Sequence, residues 1–247
     1  MNVFFDQNYN LRYFEMNKHG VASPTTILTL LEETAAEHCH NIGHDLYSLE
    51  NQNIGWVLIS GTIDMIRYPK YKENITIKTW LSKYTLVKGY RENIIYDGDK
   101  KIIGKAKGIW AFYDIQKRKP VPIFDDIKNK WGLCEEISAE LNLNLIEHSN
   151  IGTLSTEFDV FRSDVDSNKH VNNIRYFHYL LETLPEEILD KYYLKTINAK
   201  FFTEAKLGDK IKVYINDVIE ENTYLHTMKS SLEDKMFVKG YTQWEKI

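Results

Sequence analysis

One order of elements is written twice in this chain, and that repetition limits the fold more than any single motif. Residues 23–39 open with Ser-Pro-Thr-Thr and carry Ile27, Leu28, Leu30, Leu31, Ala35 and Cys39. Ser23 suits an N-cap, and Pro24 suits the first helical position, where its missing N–H does no harm. The nearly all-round apolar character predicts a helix buried on more than one side. Short β-type runs follow at 56–66, 75–82, 90–96 and 101–113, with Asp97-Gly98 as a hairpin signal. The order then returns as a helical segment at 172–184, ending before Pro185, and runs at 194–203, 210–218, 224–232 and 236–244.

The copies also agree residue by residue. Leu30-Leu31-Glu32 reappears as Leu180-Leu181-Glu182 at an offset of 150, and Tyr68-Pro69 through Ile75-Thr76-Ile77 as Glu204-Ala205 through Ile211-Lys212-Val213 at 136. Trp110 and Trp244, 134 apart, close the copies in step. A helix followed by a meander, repeated, predicts an α+β chain of two related units with antiparallel sheets, each wrapping its own central helix. The boundaries expected are 1–122 for the first unit, 123–150 for a Pro- and polar-rich connector, and 151–247 for the second. A length of 247 residues, ambiguous between one large domain and two small ones, fits this division.

Composition removes several classes of function. With two well-separated cysteines, Cys39 and Cys134, there is neither a disulfide framework nor a zinc motif. The N-terminus lacks the basic and apolar regions of a leader, and no run approaches the ~20 apolar residues of a membrane span. A cytoplasmic protein without a membrane anchor is expected. A net charge of −4 gives no reason to expect nucleic acid as a partner. Between Lys78 and Lys119, however, 11 basic residues face four acidic ones. That stretch reads either as plain solvated strand exterior or as a patch for an acidic partner.

Chemistry concentrates in the second copy. The string Arg162-Ser163-Asp164-Val165-Asp166-Ser167-Asn168-Lys169-His170-Val171-Asn172-Asn173 stands just before the second helix. In an extended segment, alternation would place Asp166, Asn168 and His170 on one side. The free N–H groups of a helix start favour a developing oxyanion. Acyl hydrolysis needs a base, an orienting group and such donors; the same residue types also make ordinary turns and caps. Glu204, in an apolar strand run and equivalent to Tyr68, is a second carboxylate whose pKa desolvation would raise, unless it is a plain exposed strand end. In the first copy, Glu15-x-Asn17-x-His19 repeats the acid-x-Asn-x-His pattern at an offset of 151 and reads as a noncatalytic relic. Nucleotide-binding, serine-hydrolase and zinc-protease motifs are absent. His38, His40 and His44 resemble a metal cluster in composition only, so no metal and no cofactor are expected.

The string from Arg162 to Tyr176 closely resembles the active-site motif of the acyl-acyl carrier protein (ACP) thioesterases, the plant plastid enzymes and their bacterial relatives. Asn10 to Glu15 with Leu31 to Ala35, and Arg67-Tyr68-Pro69 with Ile77 to Trp80, are similar to that family's first half. The resemblance implies a tandem hotdog fold, hydrolysis of fatty acyl-ACP thioesters, and a catalytic network of Asp166, Asn168, His170 and Glu204. It places the acyl tunnel mainly in the first unit, between sheet and helix. The partner implied is ACP carrying its acyl chain on phosphopantetheine. In the family a Cys commonly follows the Glu; here Ala205 does, which favours direct attack by water. The transit peptide of plant members is missing, in agreement with a bacterial cytoplasmic enzyme. An acyl-CoA thioesterase, a hotdog dehydratase and a noncatalytic acyl-binding protein are the alternatives, and the chain is expected as a monomer or a homodimer.

Overall fold

A computed structural model describes residues 3–135, 152–167, 169–216 and 222–247. The chain divides into two compact units, Met1–Asn142 and Leu143–Ile247. In the first, strand β1 (Phe5–Asn10) leads through a 3-10 turn at Tyr13–Glu15 to helix α1 (Pro24–Asn41) and the short α2 (Leu46–Glu50). Strands β2 (Ile54–Met65), β3 (Asn74–Tyr84), β4 (Lys88–Tyr96) and β5 (Ile102–Asp114) follow, then the two-residue β6 (Lys119–Pro120) and α3 (Asp125–Trp131). The sheet runs β1-β3-β4-β5-β2, antiparallel throughout, with β6 on β5. The Ser23 hydroxyl accepts from the Thr26 N–H at 3.1 Å, so the expected cap is formed. Alternation in β3 turns Ile75, Ile77 and Thr79 inward. Ile123, Ile127 and Trp131 join Cys39, Leu49, Leu81 and Phe112 in one core cluster. Of the segment read as a connector, 123–150, residues 136–150 lie outside the described residues.

The second unit repeats the plan. Strand β7 (Thr153–Asp159) leads through a 3-10 turn at Arg162–Asp164 to α4 (Asn173–Leu181) and α5 (Glu186–Lys191). Then come β8 (Tyr192–Phe201), β9 (Lys210–Asn216), β10 (Thr223–Ser230) and β11 (Met236–Lys246). Its strand order, β7-β9-β10-β11-β8, is the first unit's order under one-to-one replacement. Even the irregularities coincide. A bulge sits between Leu58 and Ser60 opposite Trp110, and another at Leu194–Thr196 opposite Trp244. Bulges bend and twist the strand that carries them, so both sheets curl at the same point. Helix α4, half the length of α1, packs Tyr176, Phe177, Tyr179 and Leu180 into the unit's core.

The two first strands, β1 and β7, are not evident in the hydropathy. Their sequences, FDQNYN and TLSTEFD, are mostly polar because each lies at a sheet edge with one face toward solvent. The Asp97-Gly98 hairpin is also wider than a two-residue turn. Asp97 Oδ1 accepts from the N–H of Asp99 and of Lys101, and Lys100 takes the left-handed conformation at φ 62°.

Candidate active site

The polar string does not run as an extended segment. The chain reverses between Asp166 and His170, closed by Asp166 N–H to His170 O at 2.9 Å and Lys169 N–H to Asp166 O at 3.0 Å, and flanked by a Val165–Val171 bridge. Lys169 supplies the left-handed residue, φ 64°, that such a reversal needs. Asp166 and His170 are therefore neighbours through turn chemistry, not strand alternation. Asp166 Oδ1 accepts from the His170 main-chain N–H at 3.5 Å, which holds the loop's shape. Asn168 lies outside the described residues.

The His170 ring meets Glu204: Nε2 stands 3.4 Å from Oε2, with the side chains 18% and 32% exposed. The pair is reachable by water, and the Glu204 carboxylate is more open than desolvation by an apolar strand would make it. A separation of 3.4 Å is long for a hydrogen bond, as is common in catalytic pairs before substrate tightens them. Helix α4 begins at once after the loop. The Asn172 side chain accepts from Ile174 N–H at 2.8 Å and so occupies one donor of the helix start.

Three residues that spacing did not single out build the support. Asp164 is buried; its Oδ2 accepts from Phe161 N–H at 2.8 Å and from the Tyr179 hydroxyl at 2.7 Å, and its carbonyl accepts from Asn172 N–H. Burial and the adjacent carboxylate push the Tyr179 phenol up, so it stays a donor. The Tyr176 hydroxyl accepts from the N–H of Ala205, beside Glu204. The sequence signal for Asp164 was a carboxylate three residues after Phe161, the spacing of a capping box.

The first unit carries the same frame. Arg12 N–H donates to Glu15 Oε2 as Phe161 N–H does to Asp164, and Met16 bridges Ala22 as Val165 bridges Val171. Gly20 N–H bonds Asn17 O as Lys169 N–H bonds Asp166 O, and Ala22 N–H bonds Pro69 O as Val171 N–H bonds Ala205 O. These bonds pair the units at an offset of 149, which corrects the 151 suggested by the acid-x-Asn-x-His likeness. The structural partners are Glu15 with Asp164, Asn17 with Asp166 and Val21 with His170. Tyr68 corresponds to Glu204, since each precedes the residue, Pro69 or Ala205, that accepts this bond.

Other features also sort by surroundings. His38 is buried, its Nδ1 3.1 Å from Arg91 Nη1, while His44 meets Asp126 at 2.6 Å, so the histidine trio does not converge. Burial pushes the Cys39 thiol up to about 11, and both cysteines belong to the first unit, away from the Glu204 turn in sequence. The basic stretch is not one patch. Arg91 is buried and Lys107 pairs with buried Glu92 at 3.0 Å. Lys100–Lys101 and Lys117–Lys119 flank opposite ends of the 13-residue β5, on the order of 40 Å of extended strand. Among the described residues, no helix is long and apolar enough to cross a membrane.

Two units of one plan, each an antiparallel set of strands with its own helix, define a double hotdog protein, and the second unit carries an acid–imidazole pair. Residues 2–131 match the acyl-ACP thioesterase N-terminal domain and residues 148–246 the acyl-ACP thioesterase C-terminal domain. The chain belongs to the acyl-ACP thioesterase family, a family of thioester hydrolases. It is similar to the chloroplastic oleoyl-acyl carrier protein thioesterase 2 of Arabidopsis thaliana, 23% identical over 286 residues, covering 98% of this chain and 77% of that protein. In fold it is similar to an acyl-ACP thioesterase from Bacteroides thetaiotaomicron, with TM-score 0.88, 22% identity, and 99% of this chain and 98% of that one covered. The 12:0-ACP thioesterase of Umbellularia californica gives TM-score 0.86 at 15% identity, covering 100% and 99%.

Proposed function

We propose that this protein hydrolyses fatty acyl-ACP with Glu204 and His170 acting as one proton-transfer pair. The observation that carries the reading is the contact of His170 Nε2 with Glu204 Oε2 in a family of thioester hydrolases. Water held by the pair attacks the thioester carbonyl carbon and gives up its proton to the pair. Collapse of the tetrahedral intermediate breaks the C–S bond. The phosphopantetheine sulfur takes the proton, leaving a free fatty acid. Asp166 keeps the His170 loop in shape, and Asn168 holds the carbonyl oxygen. No metal or cofactor takes part.

The acyl chain lies in the first unit, between its helix and sheet. ACP docks at the Lys100, Lys101 and Lys105 end of β5, where two of the three side chains are exposed. The setting is bacterial, cytoplasmic fatty acid synthesis, and the working form is a monomer or homodimer. The experiment is hydrolysis of acyl-ACPs of graded chain length beside the matching acyl-CoAs, with identification of the released acids. Preferential turnover of the ACP series supports the reading; equal or better turnover of acyl-CoA replaces the carrier with CoA. Charge reversal at the three lysines is expected to raise KM for acyl-ACP and not for a small acyl thioester.

A further inference from the structure

The turn that carries Glu204 is fastened through Ala205, which is fully buried. The Ala205 carbonyl accepts from Val171 N–H at 2.9 Å, and its own N–H donates to the Tyr176 hydroxyl oxygen at 2.9 Å. The first bond is part of the frame common to both units, since Ala22 N–H reaches Pro69 O at 2.8 Å. The second bond has no twin. In the first unit the place of Ala205 is taken by Pro69, which has no N–H, and the place of Tyr176 by Ile27, which has no hydroxyl. Donor and acceptor are missing together from the unit without the acid–imidazole pair. They are present together in the unit that has it.

Core filling does not account for the hydroxyl. Ile27 fills the equivalent place at 1% exposure, as Tyr176 does at 2%. Tyr176 is held by its neighbours, with its ring edge-on to Phe201 and tilted on Phe237. It also sits in the first turn of α4, directly after the loop that carries His170. One rigid helical turn therefore ends the His170 loop and grips the Glu204 turn. Burial and nearby carboxylates keep the phenol protonated, so it is a neutral acceptor for the Ala205 N–H.

We infer that Tyr176 is a positioning residue, whose bond to the Ala205 N–H sets the distance between Glu204 and His170. This rests on the catalytic reading of that pair. The test compares Tyr176→Phe, Ala205→Pro, the double variant and Glu204→Gln on one acyl-ACP that the unaltered enzyme turns over. Misplacement of a reacting group by about 1 Å costs up to roughly 100-fold. Tyr176→Phe is therefore expected to lower kcat about 10- to 100-fold, with KM within about twofold and a displaced pH profile of kcat. Ala205→Pro, which copies the Pro already tolerated at the twin position, is expected to act likewise. The double variant should be no worse than either single one, because both remove the same bond. A kcat for Tyr176→Phe within about twofold of normal, a loss that follows the unfolded fraction, or multiplicative losses in the double variant would overturn the inference. Normal activity in Glu204→Gln would instead overturn the catalytic reading on which it rests.

Discussion

In the first unit Asn17, Val21 and Tyr68 stand where the second has Asp166, His170 and Glu204, yet the surrounding main-chain bonds are the same in both. The frame is a fold requirement. Each unit needs a carboxylate, Glu15 or Asp164, to close its 3-10 turn, and a reversal with a left-handed residue, Gly20 or Lys169, to enter its helix. On the proposed mechanism the chemistry rests on a few side chains projecting from that frame. The first unit lacks them and keeps the same main-chain bonds, which suits the apolar acyl-holding role proposed for it.

The twin loop anchors offer the largest contrast. Asp166→Ala should lower kcat on acyl-ACP by about 100-fold by loosening the His170 loop. Asn17 bonds the N–H of His19 at 2.9 Å and so shapes the corresponding loop. Asn17→Ala should cost about 1 kcal/mol in urea unfolding and leave kcat within about twofold. Equal losses of activity would break the distinction between container and catalytic unit.

A second contrast concerns stability. Ala106 in β5 is the twin of Gly240 in β11, but a Cβ at Gly240 would run into the Asn198 carbonyl oxygen of the adjacent strand. Gly240→Ala should destabilise by roughly 3 kcal/mol, whereas Ala106→Gly should cost about 1 kcal/mol. Thermal unfolding distinguishes them, and similar shifts would show that the second sheet can relax.

A third measurement tests what the units share. Burial with nearby Arg91 pushes His38 down to about 3, and burial pushes His226 down to about 3. Each imidazole is protonated in the unfolded chain below about pH 6.5 but stays neutral in the fold. Their contribution is complete above pH 6.5 and is lost as pH falls toward 3, at about 1.4 kcal/mol per pH unit for each. His38→Gln and His226→Gln should each remove that slope from urea unfolding between pH 6 and 4. An unchanged slope would contradict neutral burial.

The duplication and the first helix with its cap were legible because periodicity and capping are local, whereas Glu204, read within a strand run, lies in the turn after β8. The frame was not legible. Acid-x-Asn-x-His is a likeness of residue types, and it misaligned the loops by two residues because the register is set by main-chain bonds to Pro69 and Ala205, far along the chain. The Tyr176–Ala205 bond was hidden for the same reason. Charge counting likewise treated Arg91 as part of a surface that it never reaches, since alternation sends it inward to His38.

On the proposed mechanism, hydrolysis depends on His170 and Glu204 and not on their twins Val21 and Tyr68. Rates of fatty acid release from acyl-ACP by folded His170→Ala and Glu204→Ala, beside Val21→Ala and Tyr68→Phe, test it most directly. The first two should lose roughly 100- to 10,000-fold in kcat and the last two about twofold or less. Near-normal rates in folded His170→Ala and Glu204→Ala would contradict it.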